Sequence, residues 1–528
     1  MATQQQQDPQ SIEEFLKPLQ IDDDTVFQLS RDFATTFTEL SAKAENQFLP
    51  TPISESLLRH VNGADRGRYL AIDIGGSNLR VGFVELLVGG DDDDEANGNS
   101  AYGEHDSPRL RRCLERSWPI GEHLKNENAD GLFSWIGQCV ADVLGAACKA
   151  SLHESADDWS VEVTPMGVTF SFPMVQRSVS EATLLPMGKG FAITSNLDLG
   201  QQLLKGYEKH RERRRLPKIK IAAIANDAVA TLVSFIYQFP AKHNQKAVMG
   251  LICGTGSNAT IPMRLSSLHP SKRPETVSVI HGQTGDNVKI AVNTEWSING
   301  SAPPLRRLGL ISRWDTVLDK AGELPGFQPL EYMTSGRYLG ELGRLIFVDY
   351  LTSALGYEMA ELPAKLKERF GLSTTFLSKF NTRDERKGTL LEQLEGEFPV
   401  WKHKENAQTQ LEWTEKIAEA LCRIAIAIEV RAAGIVAAAT IGLLTCAEEM
   451  SPPRADNGEH LELVVGYTGG CISGFQNYLE DCQSFLDRIV KMEHGDDWPV
   501  RVMLSPCHDG GITGAGILVP ASLNSERT

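Results

Sequence analysis

The chain has 528 residues, 41% hydrophobic and 23% charged, the balance of a soluble globular protein with two domains and a large core. Its formal net charge of −17 argues against nucleic acid as the main partner, because that binding neutralises phosphates with Lys and Arg. Nine Cys, an odd count with no Cys-x-x-Cys pair, indicate neither a disulfide framework nor a zinc cluster. A reduced, cytoplasmic protein is expected.

The first ten residues are polar, with no basic start and no apolar run, so no secretory signal is expected. Val26, Leu29, Phe33, Phe37 and Leu40 recur at steps of three and four, an amphipathic helix that Pro50 and Pro52 are expected to close. Arg68 to Val88 reads as strand, Gly-Gly turn, strand. The acidic run Asp91 to Asp94 reads as a solvated loop, since the spacing of a calcium loop is missing. Asn128 to Lys149 is expected to be helical, Pro165 to Met174 a strand, and Ile219 to Asn226 a strand leading into a helix. Ala247 to Arg264 repeats the strand, glycine turn, strand form. Ala418 to Cys446 is the most apolar stretch, but Arg423, Glu429 and Arg431 interrupt it, so a buried helix is expected rather than a membrane span. Leu461 to Gly466 reads as a strand entering a Gly loop, followed by a helix burying Phe475, Tyr478, Leu479, Cys482, Leu486 and Ile489. Strands mixed with helices throughout make the chain α/β.

Two segments share one form. In the first, the strand from Leu70 carries Asp73 and meets Gly75-Gly76-Ser77-Asn78, then resumes through Arg80. In the second, the strand from Val248 meets Gly254-Thr255-Gly256-Ser257-Asn258 and resumes to Ile261. Glycines let backbone N–H groups approach an anion, and Ser, Thr and Asn add donors. Two matched copies therefore read as phosphate sites rather than ordinary hairpin turns. No GxxxxGK[ST] occurs, which excludes a P-loop. Gly254-Thr-Gly256-Ser-Asn-Ala259 nearly matches a dinucleotide fingerprint, but it continues as strand instead of opening a helix. Asp227 follows the apolar run Ile219 to Ala225, and its residue type suits either a carboxylate held in a cleft or a helix N-cap.

These segments, with Asn226-Asp227, Phe170-Ser171-Phe172-Pro173, Asn293-Thr-Glu295-Trp296 and Ser335-Gly-x-Tyr-Leu-Gly-Glu341, resemble the hexokinase family over roughly residues 12 to 522. The resemblance implies two actin-like ATPase (ribonuclease H-like) domains around a hinged cleft. It implies an N-terminal helical segment 1–67, a small domain 68–225, a large domain 226–504, and a C-terminal helix 505–528 returning to the small domain. It implies ATP and Mg²⁺ as cofactors and a hexose, glucose or N-acetylglucosamine, phosphorylated at its 6-hydroxyl. By the same resemblance Asp227 is the catalytic base and Lys189 its catalytic partner. Ser171, Asn226, Asn258, Glu295, Gln328 and Glu331 would bind the sugar, and Asp73 would orient Mg²⁺ through water. The glycine turns, Gly469, Gly470 and the entry Asp509-Gly510-Gly511 to the last helix would hold the nucleotide.

The chain departs from the family pattern at three places near this chemistry. Gly188 stands where the family has Thr, Ser297-Ile298 where it has Gly-Ala, and Thr468 where it has the adenosine-loop Asp. The changes at Gly188 and after Glu295 are expected to reshape the sugar pocket wall. The alternative reading is a hexokinase-like regulator that senses sugar without phosphorylating it.

Overall fold

The computed structural model describes residues 11–55, 67–87, 109–121, 123–124, 129–151, 163–172, 174–184, 197–239, 244–274, 277, 288–322, 324–381, 388–400, 411–451 and 460–525. Its strands begin with β1 (Leu49–Ser54), β2 (Gly67–Ile74), β3 (Asn78–Leu86), β4 (Leu110–Pro119), β5 (Val163–Phe170), β6 (Met174–Ser178) and β7 (Glu181–Leu184). They continue with β8 (Lys218–Ala225), β9 (Gln245–Cys253), β10 (Ser257–Arg264), β11 (Lys289–Asn293), β12 (Leu461–Thr468) and β13 (Val500–Pro506). The principal helices are α1 (Asp23–Lys43), α2 (Ala129–Ser151), α3 (Leu199–Arg214), α4 (Asp227–Gln238), α5 (Glu415–Cys446), α6 (Tyr478–His494) and α7 (Gly510–Ser525).

Two sheets repeat one topology. The first has the order β4-β3-β2-β5-β8 and the second β11-β10-β9-β12-β13, with β1 added beside β11. In each, the first three strands form an antiparallel meander and the last two join it in parallel. The two glycine turns are the first hairpin of each sheet, so the matched sequences occupy matched places. The fifth strand of each sheet then runs into a helix, β8 into α4 and β13 into α7.

Those two helices lie between the sheets. Helix α7 packs on β2, β3, β5 and β8, α4 packs on β9, β10 and β12, and the two helices pack on each other. Their backbones touch, because a Cβ on Gly514 would sit 2.1 Å from the Ala230 carbonyl oxygen. Helices α2 and α3 cover the first sheet, whose core includes Ile72, Val81, Ile136, Leu144 and Ile221. Helices α1, α5 and α6 build a larger core with the second sheet.

Helix α1 stops at Lys43, well before Pro50 and Pro52. Both prolines lie instead in β1, an edge strand, where a residue lacking an N–H is tolerated. The expected strand across Pro165 to Met174 is two, since β5 ends at Phe170 and β6 begins at Met174. Both α2 and α5 are long and apolar enough to cross a membrane. In α5, 83% of the most apolar window is buried within the fold, and Arg431 makes a bidentate pair with Asp315 at 2.7 and 2.9 Å. It is a core helix. The acidic run Asp91 to Asp94 lies outside the described residues.

Candidate active site

A cleft of about 350 Å³ opens where the two glycine turns, the start of α4 and the start of α7 converge. It is lined by Asp73, Gly75, Gly76, Ser77, Asn78 and Arg80 from the first sheet, with Ser171 at the end of β5. From the far side come Thr255, Gly256, Ser257, Asn258, Glu295, Gln328 and Glu331. Between them lie Asn226, Asp227, Gly469, Gly470, Asp509, Gly510 and Gly511. The expected site residues are thus brought together from segments more than 400 positions apart. Gly254 is set back from the lining, where its carbonyl accepts the Gly336 N–H at 2.7 Å. Lys189 and Gly188 lie outside the described residues.

The two readings of Asp227 separate here. The N-cap is Asn226, whose Oδ1 accepts the Ala228 N–H at 2.9 Å. Asp227 is the first helical residue, partly exposed to the cleft, and also accepts the Ala228 N–H. A helix N-terminus favours a negative charge, so the carboxylate suits this place without serving as the cap.

Polar side chains behind Asn226 form a continuous network. Asn258 Nδ2 donates to Asn293 Oδ1 at 2.8 Å, and Asn293 Nδ2 donates to Glu295 Oε1 at 2.8 Å. Glu295 has a left-handed backbone (φ 46°), held by Gln47 Nε2 donating to its carbonyl at 2.9 Å. A non-glycine residue strained in this way is typical of a functional position. Glu331 Oε2 accepts the Ser257 N–H at 3.2 Å, which ties the short helix Pro329–Thr334 to the second glycine turn.

The departures after Glu295 do not form the pocket wall. Ser297 and Ile298 are buried behind the turn and are absent from the cleft lining. The Ser297 hydroxyl donates to the Ser257 carbonyl, so this residue reaches the cleft only through the turn it supports. Thr468, by contrast, lines the cleft directly.

The lining is strongly acidic, with Asp73, Asp227, Glu295, Glu331 and Asp509 against Arg80 alone among the described residues. That arginine is already engaged, since it donates to Asp509 at 2.6 Å, and Arg112 holds the other Asp509 oxygen at 2.7 Å. Burial, and then the negative charge of Asp227, push Asp73 up to about 7. A Cβ on Gly511 would meet the Asp73 carboxylate at 2.6 Å, so only glycine admits this approach of α7.

The raised Asp73 value has a stability consequence. Unfolded, Asp73 ionises near 3.8, while the folded protein keeps the proton to about 7. Between those values the folded state binds more protons, so Asp73 lowers stability progressively as pH rises through the window. Asp73→Asn removes this effect. Thermal unfolding of the empty protein should show the variant gaining on wild type from pH 4 to 7 and holding its advantage above. A difference independent of pH would contradict the assignment.

Past Thr255 and Gly470 the cleft continues into a second cavity of about 350 Å³, lined by Gly336, Arg337, Thr374, Thr375, Ser378 and Phe475 among others. Sequence reasoning missed this wall, although Gly336 and Arg337 fall within the Ser335 to Glu341 motif. The only sequence signal was that motif.

Family profiles described as Hexokinase match residues 11–237 and 248–521. The chain belongs to the hexokinase family. It is 25% identical to the hexokinase of Kluyveromyces lactis over 474 residues, covering 89% of this chain and 83% of that one. It is 28% identical to Hexokinase-2 of Equus caballus over 375 residues, 70% of this chain but only 35% of that longer protein. The solved hexokinase of Schistosoma mansoni complexed with glucose superposes with a TM-score of 0.71 at 24% identity, covering 97% of this chain and 98% of that one. This likeness bears out the two-domain actin-like ATPase fold. Membership makes the chain a hexokinase-type sugar kinase.

Proposed function

We propose that the chain transfers the γ-phosphoryl group of ATP to the 6-hydroxyl of a hexose, with glucose as the reference substrate. The observation that carries this reading is the place of Asp227. It stands at the start of α4 and lines the same cleft as the amide and carboxylate network and both glycine turns. A sugar held by Asn226, Asn258, Glu295, Gln328, Glu331 and Ser171 would present a hydroxyl to Asp227. Asp227 accepts its proton as the oxygen attacks phosphorus, a general-base role. The backbone N–H groups of Gly76, Ser77, Thr255 and Gly256 suit the phosphates, while those of Gly75 and Gly254 close their turns onto the Asn78 and Gly256 carbonyls. The second cavity, continuous with the turns, suits the nucleoside end.

Five carboxylates lining the cleft would repel a polyphosphate; burial, and then the negative charge of Asp227, raise Asp73. Hard oxygen ligands of this kind fit Mg²⁺, which Asp73 would hold through water. When bound, the ion neutralises charge on the β- and γ-phosphates. Rotation of the two sheets toward each other would exclude water from the transfer. Nine free cysteines support a reducing, cytoplasmic setting.

Thr468 in the cleft favours a second reading, a sugar-binding regulator with weak or absent turnover, because an Asp of the family pattern is lost there. N-acetylglucosamine draws no support from Ser297 and Ile298, which do not face the sugar. Single-turnover assays with ATP·Mg²⁺ and glucose, mannose, fructose or N-acetylglucosamine separate these cases. Formation of hexose 6-phosphate, fastest with glucose, is the expected result. Sugar binding without any phosphorylation would establish the regulator.

A further inference from the structure

The network behind the sugar site has a direction. Backbone N–H groups can only donate, so Ala228 fixes the Asn226 oxygen and Ala259 fixes the Asn258 oxygen, at 2.9 and 2.8 Å. At the other end the Glu295 carboxylate accepts, which fixes Nδ2 of Asn293 toward it at 2.8 Å. Three independent anchors therefore agree on the orientation of three amides, which heavy-atom positions alone leave ambiguous. Between the anchors, Asn258 Nδ2 donates to Asn293 Oδ1 at 2.8 Å and reaches Asn226 Oδ1 at 3.5 Å. Asn293 is 2% exposed and absent from the cleft lining. It touches no substrate position, yet it joins two residues that do.

We propose that Asn293 is a positioning residue that completes the hydrogen-bond polarity of the sugar site, holding Asn258 and Glu295 beside Asn226, whose own amide the Ala228 N–H already turns with Nδ2 toward the cleft. The Asn226 oxygen is occupied from behind, whereas its Nδ2 has no partner among the described residues. The cleft then shows a donor next to an acceptor. A sugar hydroxyl matches that pair in one sense only, its oxygen accepting from the amide and its proton pointing to a carboxylate. The reverse amide would present a second acceptor, and the two would compete for the proton. The inference rests on the sugar-kinase reading above and adds what makes a hydroxyl arrive correctly oriented.

The test uses the full chain with glucose and its singly deoxygenated analogues, with binding and turnover both measured. Asn293→Leu should raise the KM for glucose by roughly 5–100-fold, the loss expected when a buried charged group loses one hydrogen-bond donor. The KM for ATP should stay within about twofold, since the phosphate turns are untouched. The decisive readout is coupling. The penalty should largely disappear for the one deoxy sugar lacking the hydroxyl that Glu295 binds, and persist for the others. An equal penalty across all analogues, or none, overturns the proposal.

Asn293→Asp is a second, isosteric variant that guards against misfolding of the first. Its carboxylate cannot donate to Glu295, so glucose should bind weakly at high pH. As pH falls the introduced carboxyl group gains a proton that it can donate, and affinity should recover. A wild-type-like pH profile would overturn the proposal. A wild-type protein that binds none of the sugars would overturn the functional reading, and this inference with it.

Discussion

Asp227→Asn should lower kcat by about 10²–10⁴-fold while leaving the glucose dissociation constant within a few-fold of wild type. The carboxamide occupies the same volume and still hydrogen-bonds a hydroxyl, but it does not take the proton as phosphorus is attacked. Helix α4 should tolerate the change, because its cap belongs to Asn226 and not to Asp227. Isothermal titration with sugar alone, set beside initial rates with ATP·Mg²⁺, separates the two quantities. A variant that keeps near wild-type kcat would remove Asp227 from the chemistry. One that loses sugar affinity in parallel with rate would make it a binding residue instead.

The largest stability effect is expected at Arg431→Met, about 3–5 kcal/mol, measured as a lowered urea midpoint. Arg431 is fully buried in α5, forked onto both oxygens of Asp315 and donating to the Leu310 carbonyl at 3.1 Å. Its loss strands a carboxylate whose remaining donors are the N–H and hydroxyl of Ser312, at 2.8 and 2.6 Å. The double variant Arg431→Met with Asp315→Asn should regain much of the loss, since the amide oxygen still accepts from Ser312 without burying a charge. If the double variant is no more stable than the single one, the arginine serves packing and not charge.

The parts of the site that are short in sequence were legible there. Each glycine turn carries its phosphate chemistry within five residues, and Asn226-Asp227 sits at a strand end that the apolar run marks. The duplication of the sheet could not be read in the same way. Beyond the glycine turns the two halves share strand order and not residue pattern, so there the match survives in topology while most side chains differ. Asn293 was visible within the Asn293 to Trp296 motif, but its role depends on neighbours 35 residues away at Asn258 and two away at Glu295. Gln47 gave no signal at all. An exposed-looking glutamine after α1 becomes the prop of Glu295 only once β1 pairs with β11. The second cavity was missed for a similar reason, because Thr374, Ser378 and Phe475 come from separate segments with no chemistry of their own. Ser297 was misread because adjacency to Glu295 does not predict facing. Glu295 lines the cleft, whereas the Ser297 hydroxyl is spent on the Ser257 carbonyl.

The contact between α4 and α7 bears on how force and motion are distributed. With Gly514 against the Ala230 carbonyl, no side chain separates the two backbones at this point, so a rotation of one sheet against the other would pivot here. Displacement in a rotating body grows with distance from its axis. Asp227 is the first residue of one of these helices and Asp509 immediately precedes the other, so both lie near the pivot. The glycine turns belong to the two sheets, at the β2–β3 and β9–β10 hairpins. Such a rotation would move the glycine turns relative to a carboxylate held at the pivot. A substitution that loosens the pivot would blur the aim of Asp227 without touching a substrate-binding residue.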